Sequence, residues 1–398
     1  MKQLCKVAEE VQASTTLVID AMYKKMKADG IDVIGFGAGE PDFDTPDNIK
    51  NAAIQAIRNN MTRYTPAAGL ETLRQAVCDR LKADCGVEYT ANQIVVSSGA
   101  KHNVYIALRA LVNPGDEVIL PAPFWVSYYE LIKMVGGVPV IVSTTEETGF
   151  KMTAEQLSAA ITPNTKALIL NNPSNPTGMM YNRAELERIA NVCVLNDLYV
   201  IADEIYYSLV YDQLPFVSFP SLSHAIWERT ILINGVSKSY AMTGWRIGYA
   251  AADDHIAKLM ANYQSHSTSA PSSISQAAAI EALSGPQEGI ADMRAAFEER
   301  RNYLVERMNQ IPNVSCIKPE GAFYVMMNLE RLLGKTIHGM TIRNSDDFAG
   351  VFLREGLVAV VPGTGFGAPN FVRWSYATSM ENIKSGLDRL EKFLAEVS

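Results

Sequence analysis

One pattern constrains the fold of this chain more than any other: through its middle, short apolar runs alternate with amphipathic stretches. The amphipathic stretches have helical periodicity, as in Ala100–Val112, Trp125–Val135 and Arg183–Leu195. Apolar runs this short and this rich in Val, Ile and Leu are typical of strands buried on both faces. Their alternation with helices predicts an α/β fold with a mostly parallel sheet. The runs are Ile94–Val96, Glu117–Leu120, Val138–Val142, Ala167–Leu170, Leu198–Ala202, Thr230–Ile233 and Ile247–Ala251.

Both ends of the chain have a different pattern, which predicts a second domain. A proline-rich connector occupies Glu40–Pro46, and Ser284-Gly285-Pro286 interrupts the chain again. With 398 residues the chain is long enough for two domains. We predict a large domain at 47–285 and a smaller α/β domain formed by 1–46 together with 286–398.

The C-terminal third begins with a long helical pattern at about 287–310. Within it, Glu298-Glu299-Arg300-Arg301 carries charges of both signs and is predicted to form a solvated helix face. Strands are predicted after this helix, at Gly321–Asn328, Val358–Val361 and Phe371–Ser375.

Charge and cysteine content exclude several classes of protein. The formal net charge is −8, which argues against a nucleic-acid or anionic-membrane surface. No apolar run approaches the ~18 residues that a membrane-spanning helix needs. The five cysteines are odd in number and scattered, so neither a disulfide framework nor a zinc site is predicted, and a reducing cytoplasm is expected.

Polar residues follow four of the predicted strands, at the point where each strand ends. They are Lys238, Asp203, the loop Asn171–Gly178 and the junction Ser97–Lys101. In α/β sheets the crevice at the carboxyl ends of the strands is where ligands bind. The junction would offer backbone N–H groups at a helix start to an anion, and the loop would offer amides.

Each of these features has a plainer interpretation when it is taken alone. Lys238 could be a solvated loop lysine. Asp203 could be a metal ligand, a base, a partner for a buried cation or only a helix N-cap. The loop Asn171–Gly178 could be a simple turn, and Gly99 could serve only a tight turn. Four such features at one edge of a sheet together favour a ligand site.

In order and spacing, these segments resemble the pyridoxal 5'-phosphate (PLP) enzymes of the aspartate aminotransferase fold. The resemblance spans nearly the whole chain and is closest to the bacterial-type class I aspartate aminotransferases. It implies PLP-dependent transferase fold type I, with a mostly parallel seven-stranded sheet in the large domain. The matching segments are Gly39–Phe43, Tyr64-Thr65, Ser98–Lys101, Pro123–Tyr128, Asn171–Gly178, Asp203–Tyr206, Ser237-Lys238, Ala241–Gly248 and Val372–Ser375.

The resemblance implies roles for the residues around the cofactor. Lys238 would carry PLP covalently and then act as general base and acid on the substrate Cα proton. Asp203 would keep the pyridine nitrogen protonated. Tyr206 and Asn175 would hydrogen-bond the ring's phenolic oxygen, and Trp125 would stack on the ring. The phosphate would be held by Arg246, Ser237 and the backbone at Gly99 and Ala100, and Lys101 would also contact the cofactor.

It also implies roles in substrate binding. Arg373 would clamp the α-carboxylate with a bidentate fork, with Asn175, Trp125 and the backbone of Gly39 close by. Lys101 is predicted to bind the distal carboxylate of the substrate. Ser14 and Thr16 would add hydroxyl contacts from the N-terminal helix.

Tyr64 would reach the phosphate of the neighbouring subunit's cofactor. The resemblance therefore implies a homodimer with shared active sites, which is also the commonest oligomeric class.

Four functions remain open at this stage, in order of preference. The first is transamination between aspartate and 2-oxoglutarate; the second is an aromatic or prephenate aminotransferase, with or without aspartate activity. The third is β-elimination by a carbon–sulfur lyase of the same fold, and the fourth is a non-catalytic interaction protein. The presence of both Lys238 and Asp203 argues against the fourth. The expected partners are an amino acid and a 2-oxo acid, with no metal.

Overall fold

The computed structural model describes residues 2–11 and 15–397. Within them the helices are α1 (Lys6–Glu10), α2 (Thr15–Ala28), α3 (Asp47–Arg58), α4 (Glu71–Cys85), α5 (Ala100–Leu111), α6 (Val126–Met134), α7 (Ala154–Ala160), α8 (Arg183–Leu195), α9 (His224–Trp227), α10 (Asp254–Ser267), α11 (Ser273–Ser284), α12 (Glu288–Gln310), α13 (Ser345–Glu355) and α14 (Met380–Leu394). The strands are β1 (Ile34–Gly35), β2 (Ile94–Ser97), β3 (Glu117–Ala122), β4 (Val138–Ser143), β5 (Thr165–Asn171), β6 (Tyr199–Asp203), β7 (Thr230–Gly235), β8 (Gly248–Ala251), β9 (Tyr324–Asn328), β10 (Thr336–Ile337), β11 (Met340–Thr341), β12 (Val358–Ala359), β13 (Val361–Pro362) and β14 (Phe371–Ser375).

The largest sheet has seven strands in the order β2-β8-β7-β6-β5-β3-β4. All of its pairs are parallel except those of β8, which runs antiparallel to both β7 and β2. The α/β class and the mostly parallel seven-stranded sheet are therefore confirmed. One consequence is that the carboxyl ends of the other six strands lie at the same edge.

Alternate residues of the central strands pack into two separate apolar layers. On β6, Val200 and Ala202 contact the layer that contains Leu186 and Ile189 of α8. Ile201 contacts the opposite layer, with the apolar side of α5. Because both faces are covered, these strands carry apolar residues without interruption, and each fully buried side chain stabilises the fold by about 1.5–3 kcal/mol.

Helix starts follow local sequence signals. Asn182 caps α8: its side chain accepts a hydrogen bond from the backbone N–H of Glu185 at 3.0 Å, and the Glu185 carboxylate accepts one from the N–H of Asn182 at 2.7 Å. This reciprocal arrangement satisfies two N–H groups that a helix start otherwise leaves unpaired. The predicted bounds of α8 and β14 are those observed.

The C-terminal third forms a three-stranded antiparallel sheet, β13-β14-β9. Helices α12, α13 and α14 pack around it through an apolar cluster that includes Phe297, Phe352 and Trp374. Strand β1 pairs with β12, which joins the N-terminal segment to this part of the chain. A small domain made of 1–46 and 286–398 needs contacts between its two segments, and this pairing is one of them. The domain boundaries stay predictions.

The predicted strand Val358–Val361 is wrong as a single element. Val358 and Ala359 pair with β1, whereas Val361 and Pro362 pair with β14 in a different sheet. All four residues of the run are buried, so their hydrophobicity gives no sign that the chain changes partner between them.

The predicted solvated face at Glu298-Glu299-Arg300-Arg301 is wrong for Arg301, which is fully buried. Its guanidinium donates to both carboxylate oxygens of Asp212 at 2.9 Å and to the carbonyl of Pro319 at 2.9 Å. The reason is helical geometry: Arg301 lies four residues after Phe297 and three before Leu304, on the face of α12 that packs into the core.

No helix in the described part of the chain is long and apolar enough to cross a membrane.

Candidate active site

Most of the residues predicted for the site line one cavity of about 630 Å³. The cavity lies at the edge of the large sheet where β2, β3, β5, β6 and β7 end, as expected for an α/β sheet. The predicted residues in its wall are Gly39, Ala100, Lys101, Trp125, Asn175, Asp203, Tyr206, Ser237, Lys238, Arg246 and Arg373.

Lys238 lies just beyond the end of β7, with its amine inside the cavity. Its Nζ donates a hydrogen bond to the carbonyl oxygen of Gly39 at 2.5 Å and lies 5.9 Å from the centroid of the Tyr206 ring. Burial lowers the pKa of Lys238 to about 8; the carboxylate of Glu40 opposes this shift, and the guanidinium of Arg246 adds to it. An amine that loses its proton near neutral pH can act as a nucleophile and as a base.

Asp203 is the last residue of β6 and is almost fully buried. The Tyr128 hydroxyl donates to its Oδ2 at 2.6 Å, and the backbone N–H of Ile205 donates to Oδ1 at 3.2 Å. Burial raises the pKa of Asp203 to about 6, against the effect of these two hydrogen bonds. A buried carboxylate whose hydrogen-bond donors are neutral would be stabilised by a cationic group placed in the cavity.

The junction between β2 and α5 forms a cradle for an anion. Gly99 has φ +87°, and a Cβ atom there would collide with the guanidinium of Arg246. Only glycine lets the two groups approach this closely. The first N–H groups of α5, beginning at Ala100, have no partner within the helix and can bind an anion together with Arg246 and Ser237.

Arg373 is buried to 2% exposure on the central strand of the smaller sheet. Its Nη1 donates to Asn175 Oδ1 at 2.9 Å and its Nη2 to the carbonyl of Gly37 at 3.0 Å. Its Nε is buried without a partner, and among the described residues no carboxylate pairs with it. A buried guanidinium in this state is suited to binding a carboxylate from a ligand.

Three further contacts order the walls between these groups. The hydroxyls of Tyr206 and Tyr324 lie 3.0 Å apart, and the Tyr324 ring lies 4.4 Å from the guanidinium carbon of Arg373. Trp125 packs edge-on against Tyr128, with ring centroids 5.2 Å apart. One pair of aromatic residues therefore lies next to Asp203, through the Tyr128 hydroxyl, and another lies next to Arg373.

Lys101 lies in the first turn of α5 and reaches across the cavity wall. Its Nζ lies 4.8 Å from the centroid of the Trp125 ring, an attractive cation–π geometry. Burial lowers the pKa of Lys101, and the charge of Arg246 lowers it further. The cavity thus holds a cation that is separate from Lys238, Arg246 and Arg373.

The remaining predicted residues are Tyr64, Ser14 and Thr16. Tyr64 lies on the surface with 98% of its area exposed. Ser14 lies outside the described residues, and so does the side chain of Thr16, which belongs to α2. The same helix does border the cavity, through Tyr23 and Lys24.

Several residues of the cavity wall had no role assigned from the sequence. Tyr324, Glu40 and Thr243 are among them, and the Thr243 hydroxyl donates to the Glu40 carboxylate at 2.7 Å. Tyr128 was part of a matching segment, and its position three residues after Trp125 in α6 could have indicated a shared face. Tyr324 comes from β9, and no local signal links it to the large sheet.

The arrangement combines an amine of lowered pKa, a buried carboxylate, an anion cradle and a buried guanidinium. Together these can bind a phosphorylated cationic ring and an amino or oxo acid, and move a proton between them. No group of three or more His, Cys, Asp and Glu side chains in residues 2–11 and 15–397 is placed to hold a metal ion.

Comparison with known proteins gives consistent matches over almost the whole chain. Residues 31–390 match the family described as aminotransferase class I and II. An aspartate aminotransferase of Bacillus sp. (strain YM-2) is 49% identical, over 96% of each chain. An aspartate/prephenate aminotransferase of Cereibacter sphaeroides is 46% identical, over 100% of each. The crystal structure of the aspartate aminotransferase from Rhizobium meliloti is similar with a TM-score of 0.96 and 40% identity, over 100% of both chains.

Proposed function

The chain belongs to the class I and II aminotransferase family, and on that premise we propose that it transfers the amino group of aspartate to 2-oxoglutarate, with PLP as its cofactor. The products are oxaloacetate and glutamate, and the two half-reactions follow each other at one site. The observation that carries the proposal is one cavity lined by Lys238, Asp203 and Arg373, in which the Nε of Arg373 is buried without a hydrogen-bond partner.

The residues present fit PLP. The carboxylate of Asp203 has a raised pKa because it is buried, and a protonated pyridine nitrogen would supply the cationic partner. The cradle at Gly99, Ala100, Ser237 and Arg246 matches a phosphate in charge and in donors. Lys238 is the amine that would bind the cofactor covalently. When bound, PLP supplies an electron sink that lets the substrate Cα–H bond break.

The chain's own side chains then handle orientation and the proton. Once the amine of the substrate has replaced it on the cofactor, the free Nζ of Lys238, with its pKa near 8, would take the Cα proton of the amino acid as general base and return it to another carbon as general acid. Asp203 would stay charged in its buried place and keep positive charge at the ring nitrogen. Tyr206 and Asn175 would hydrogen-bond the ring's oxygen, and Trp125 would stack on the ring.

Substrate choice follows from two cations of different kind. Arg373, buried and fixed by Asn175 and Gly37, binds the α-carboxylate that every amino acid carries. Lys101, whose Nζ lies 4.8 Å from the centroid of the Trp125 ring, binds the distal carboxylate of aspartate or glutamate. An ammonium on a flexible stem holds a carboxylate less rigidly than a guanidinium, so substrates other than aspartate are expected as well.

Prephenate is the second candidate substrate, and one observation favours it. A relative that is 46% identical over the whole chain is named for both aspartate and prephenate. Prephenate has two carboxylates, so the pair Arg373 and Lys101 would serve it too. We therefore propose that the enzyme acts on both aspartate and prephenate.

The working unit is a homodimer with shared sites. Tyr64, exposed to 98%, would be covered by the partner and would reach the phosphate in the partner's cavity. The cytoplasmic location expected from the cysteine content stays a prediction.

The experiment that tests the proposal is a panel of amino donors with 2-oxoglutarate, ranked by kcat/KM. Aspartate is expected to rank first, with glutamate supporting the reverse direction and prephenate acting as an acceptor. Cystathionine is the control for β-elimination: release of pyruvate at a rate comparable to transamination would favour a carbon–sulfur lyase. Equal kcat/KM for aspartate and for uncharged donors would contradict the substrate assignment.

A further inference from the structure

Residues 64–70 form a loop that is held by hydrogen bonds although Tyr64, its first residue, is exposed. Tyr64 has 98% of its area exposed, whereas residues between Thr65 and Leu70 are hydrogen-bonded by side chains from two helices. Both of these side chains are glutamines, Gln264 and Gln276, and both are fully buried.

Gln276 of α11 forms hydrogen bonds with both ends of the loop. Its Nε2 donates to the hydroxyl of Thr65 at 2.9 Å and to the carbonyl of Pro271 at 2.8 Å. Its Oε1 accepts from the backbone N–H of Leu70 at 2.8 Å. One amide therefore holds the residue next to Tyr64 and the last residue of the loop.

Gln264 of α10 holds the middle of the loop and connects it to β2. Its Nε2 donates to the carbonyl of Ala67 at 2.5 Å and to that of Val96 at 2.8 Å, and its Oε1 accepts from the Ser97 hydroxyl. The loop also lies flat on the strand, because a Cβ atom at Gly69 would come within 2.8 Å of the Val96 side chain.

A primary amide is costly to bury unless its donors and acceptor are paired, and here both amides are paired on all sides. Five of the six bonds go to the loop or to β2, whose end continues into the cradle at Gly99. An apolar side chain would fill the same volume without fixing any of these atoms. The two glutamines thus fix the loop's position rather than merely fill the core.

We propose that Gln264 and Gln276 are positioning residues that hold the loop so that Tyr64 meets the cofactor phosphate in the partner's cavity. Gln264 also accepts a hydrogen bond from Ser97, at the start of the phosphate cradle. The same amide therefore contacts both the cradle of its own subunit and the loop whose Tyr64 reaches the partner's cavity. The inference rests on the proposed homodimer with shared sites.

The first test changes only Thr65, the loop residue whose hydroxyl is bound by Gln276. Thr65→Val removes the hydroxyl that Gln276 binds, whereas Thr65→Ser keeps it. Thr230→Val is a matched control, because the Thr230 hydroxyl donates to the carbonyl of Ile226 at 2.7 Å and makes no bond to the loop. The measured quantity is the dissociation constant of PLP from the cofactor-free dimer. Thr65→Val should raise it by about threefold to tenfold, the worth of one hydrogen bond, and both other variants should stay within about twofold of wild type.

A double-mutant cycle separates positioning from general loosening of the structure. Tyr64→Phe should raise the dissociation constant by itself, and adding Thr65→Val or Gln276→Met should then raise it little further, because each acts through the lost hydroxyl. Effects that multiply in the double variant, or a Thr65→Val protein with wild-type affinity, would overturn the proposal. If Tyr64→Phe alone has no effect, the shared-site assignment of Tyr64 fails, and this inference fails with it.

Discussion

Lys238 shows how a reactive residue lowers the stability of its own protein. Burial lowers its pKa from 10.5 to about 8, so at neutral pH the fold holds a charged amine in surroundings that stabilise the charge less than water does. Because the folded pKa lies below the unfolded value, this penalty is complete below pH 8 and disappears as the pH rises through 10.5. A shift of this size corresponds to roughly 3 kcal/mol.

We therefore expect cofactor-free Lys238→Met protein to be more stable than cofactor-free wild type at pH 7, by up to about 3 kcal/mol. The difference should shrink toward zero near pH 10.5. Urea unfolding of both proteins at the two pH values measures it. A difference that is the same at both values would mean that packing, rather than the charge, is responsible.

Asp203 is expected to matter for rate much more than for binding. In Asp203→Ala protein loaded with PLP, kcat should fall by several orders of magnitude, roughly 10³-fold or more, because the charge that stabilises the reacting centre is lost. Tyr128→Phe is the matched control: it removes one hydrogen bond to the same carboxylate and should cost about tenfold. Near-normal kcat in the loaded Asp203→Ala protein would refute the role.

Lys101 should act on one class of substrate only. Lys101→Ala should raise KM for aspartate and glutamate about tenfold or more and leave KM for phenylalanine almost unchanged, because only the diacids have a distal carboxylate. Lys101→Arg keeps the charge and should lose less. An equal loss with all three donors would assign Lys101 to the cofactor or to the fold.

Among the secondary-structure elements, the parallel strands explain why so much of the site could be predicted. A residue at the end of β5, β6 or β7 is close to the cavity whatever the loops do, since the strands share one edge. Asn175, Asp203 and Lys238 could therefore be predicted, because each follows an apolar run within a few residues of its end. The specific roles came from resemblance, because no spacing along the chain shows that a guanidinium on β14 meets Asn175.

What could not be predicted depends on contacts between distant segments. Tyr324 reaches Tyr206 from β9, across 118 positions of sequence. Arg301 bonds to Asp212 across 89 positions, and its charged neighbours in sequence indicated a surface face instead. The split between β12 and β13 was hidden because burial is uniform along the run.

The pair Arg301–Asp212 gives a prediction for α12. Asp212→Ala should lower the free energy of unfolding by about 1–2 kcal/mol, because the fully buried guanidinium of Arg301 loses two hydrogen bonds to a partly exposed carboxylate and keeps only Glu298, at 3.4 Å, as a charged partner. Glu88→Ala breaks an ion pair with Lys82 in which both side chains are mostly exposed, and it should cost less than about 1 kcal/mol. Denaturant unfolding compares the two; equal costs would show that the burial of Arg301 has no energetic consequence.

For the whole molecule, the sharpest expectation is that each site needs two chains. A Tyr64→Ala subunit lacks the residue lent to its partner, and a Lys238→Ala subunit lacks its own reactive amine. In a mixed dimer the site on the Lys238→Ala chain lacks both its own amine and the Tyr64 of its partner, so both defects fall on that one site.

If Tyr64 serves the partner, the site on the Tyr64→Ala chain of this mixed dimer has its own Lys238 and receives Tyr64 from the Lys238→Ala chain. That site should be complete, so verified heterodimers should recover up to about half of the wild-type activity per dimer, the share of one site in two. Dimers of either single variant are the controls. No recovery in purified heterodimers, or a fully active monomer, would contradict shared sites.

The central claim is that Lys238 is the amine on which the chemistry depends, and one measurement tests it most directly. The PLP-loaded enzyme is reduced with borohydride, which makes the bond between the cofactor and its lysine permanent, and the labelled peptide is identified by mass spectrometry. Lys101 and Lys24 also line the cavity and serve as internal competitors. The account predicts one label per chain, on Lys238; a label on another lysine, or no label in an active loaded enzyme, would contradict it.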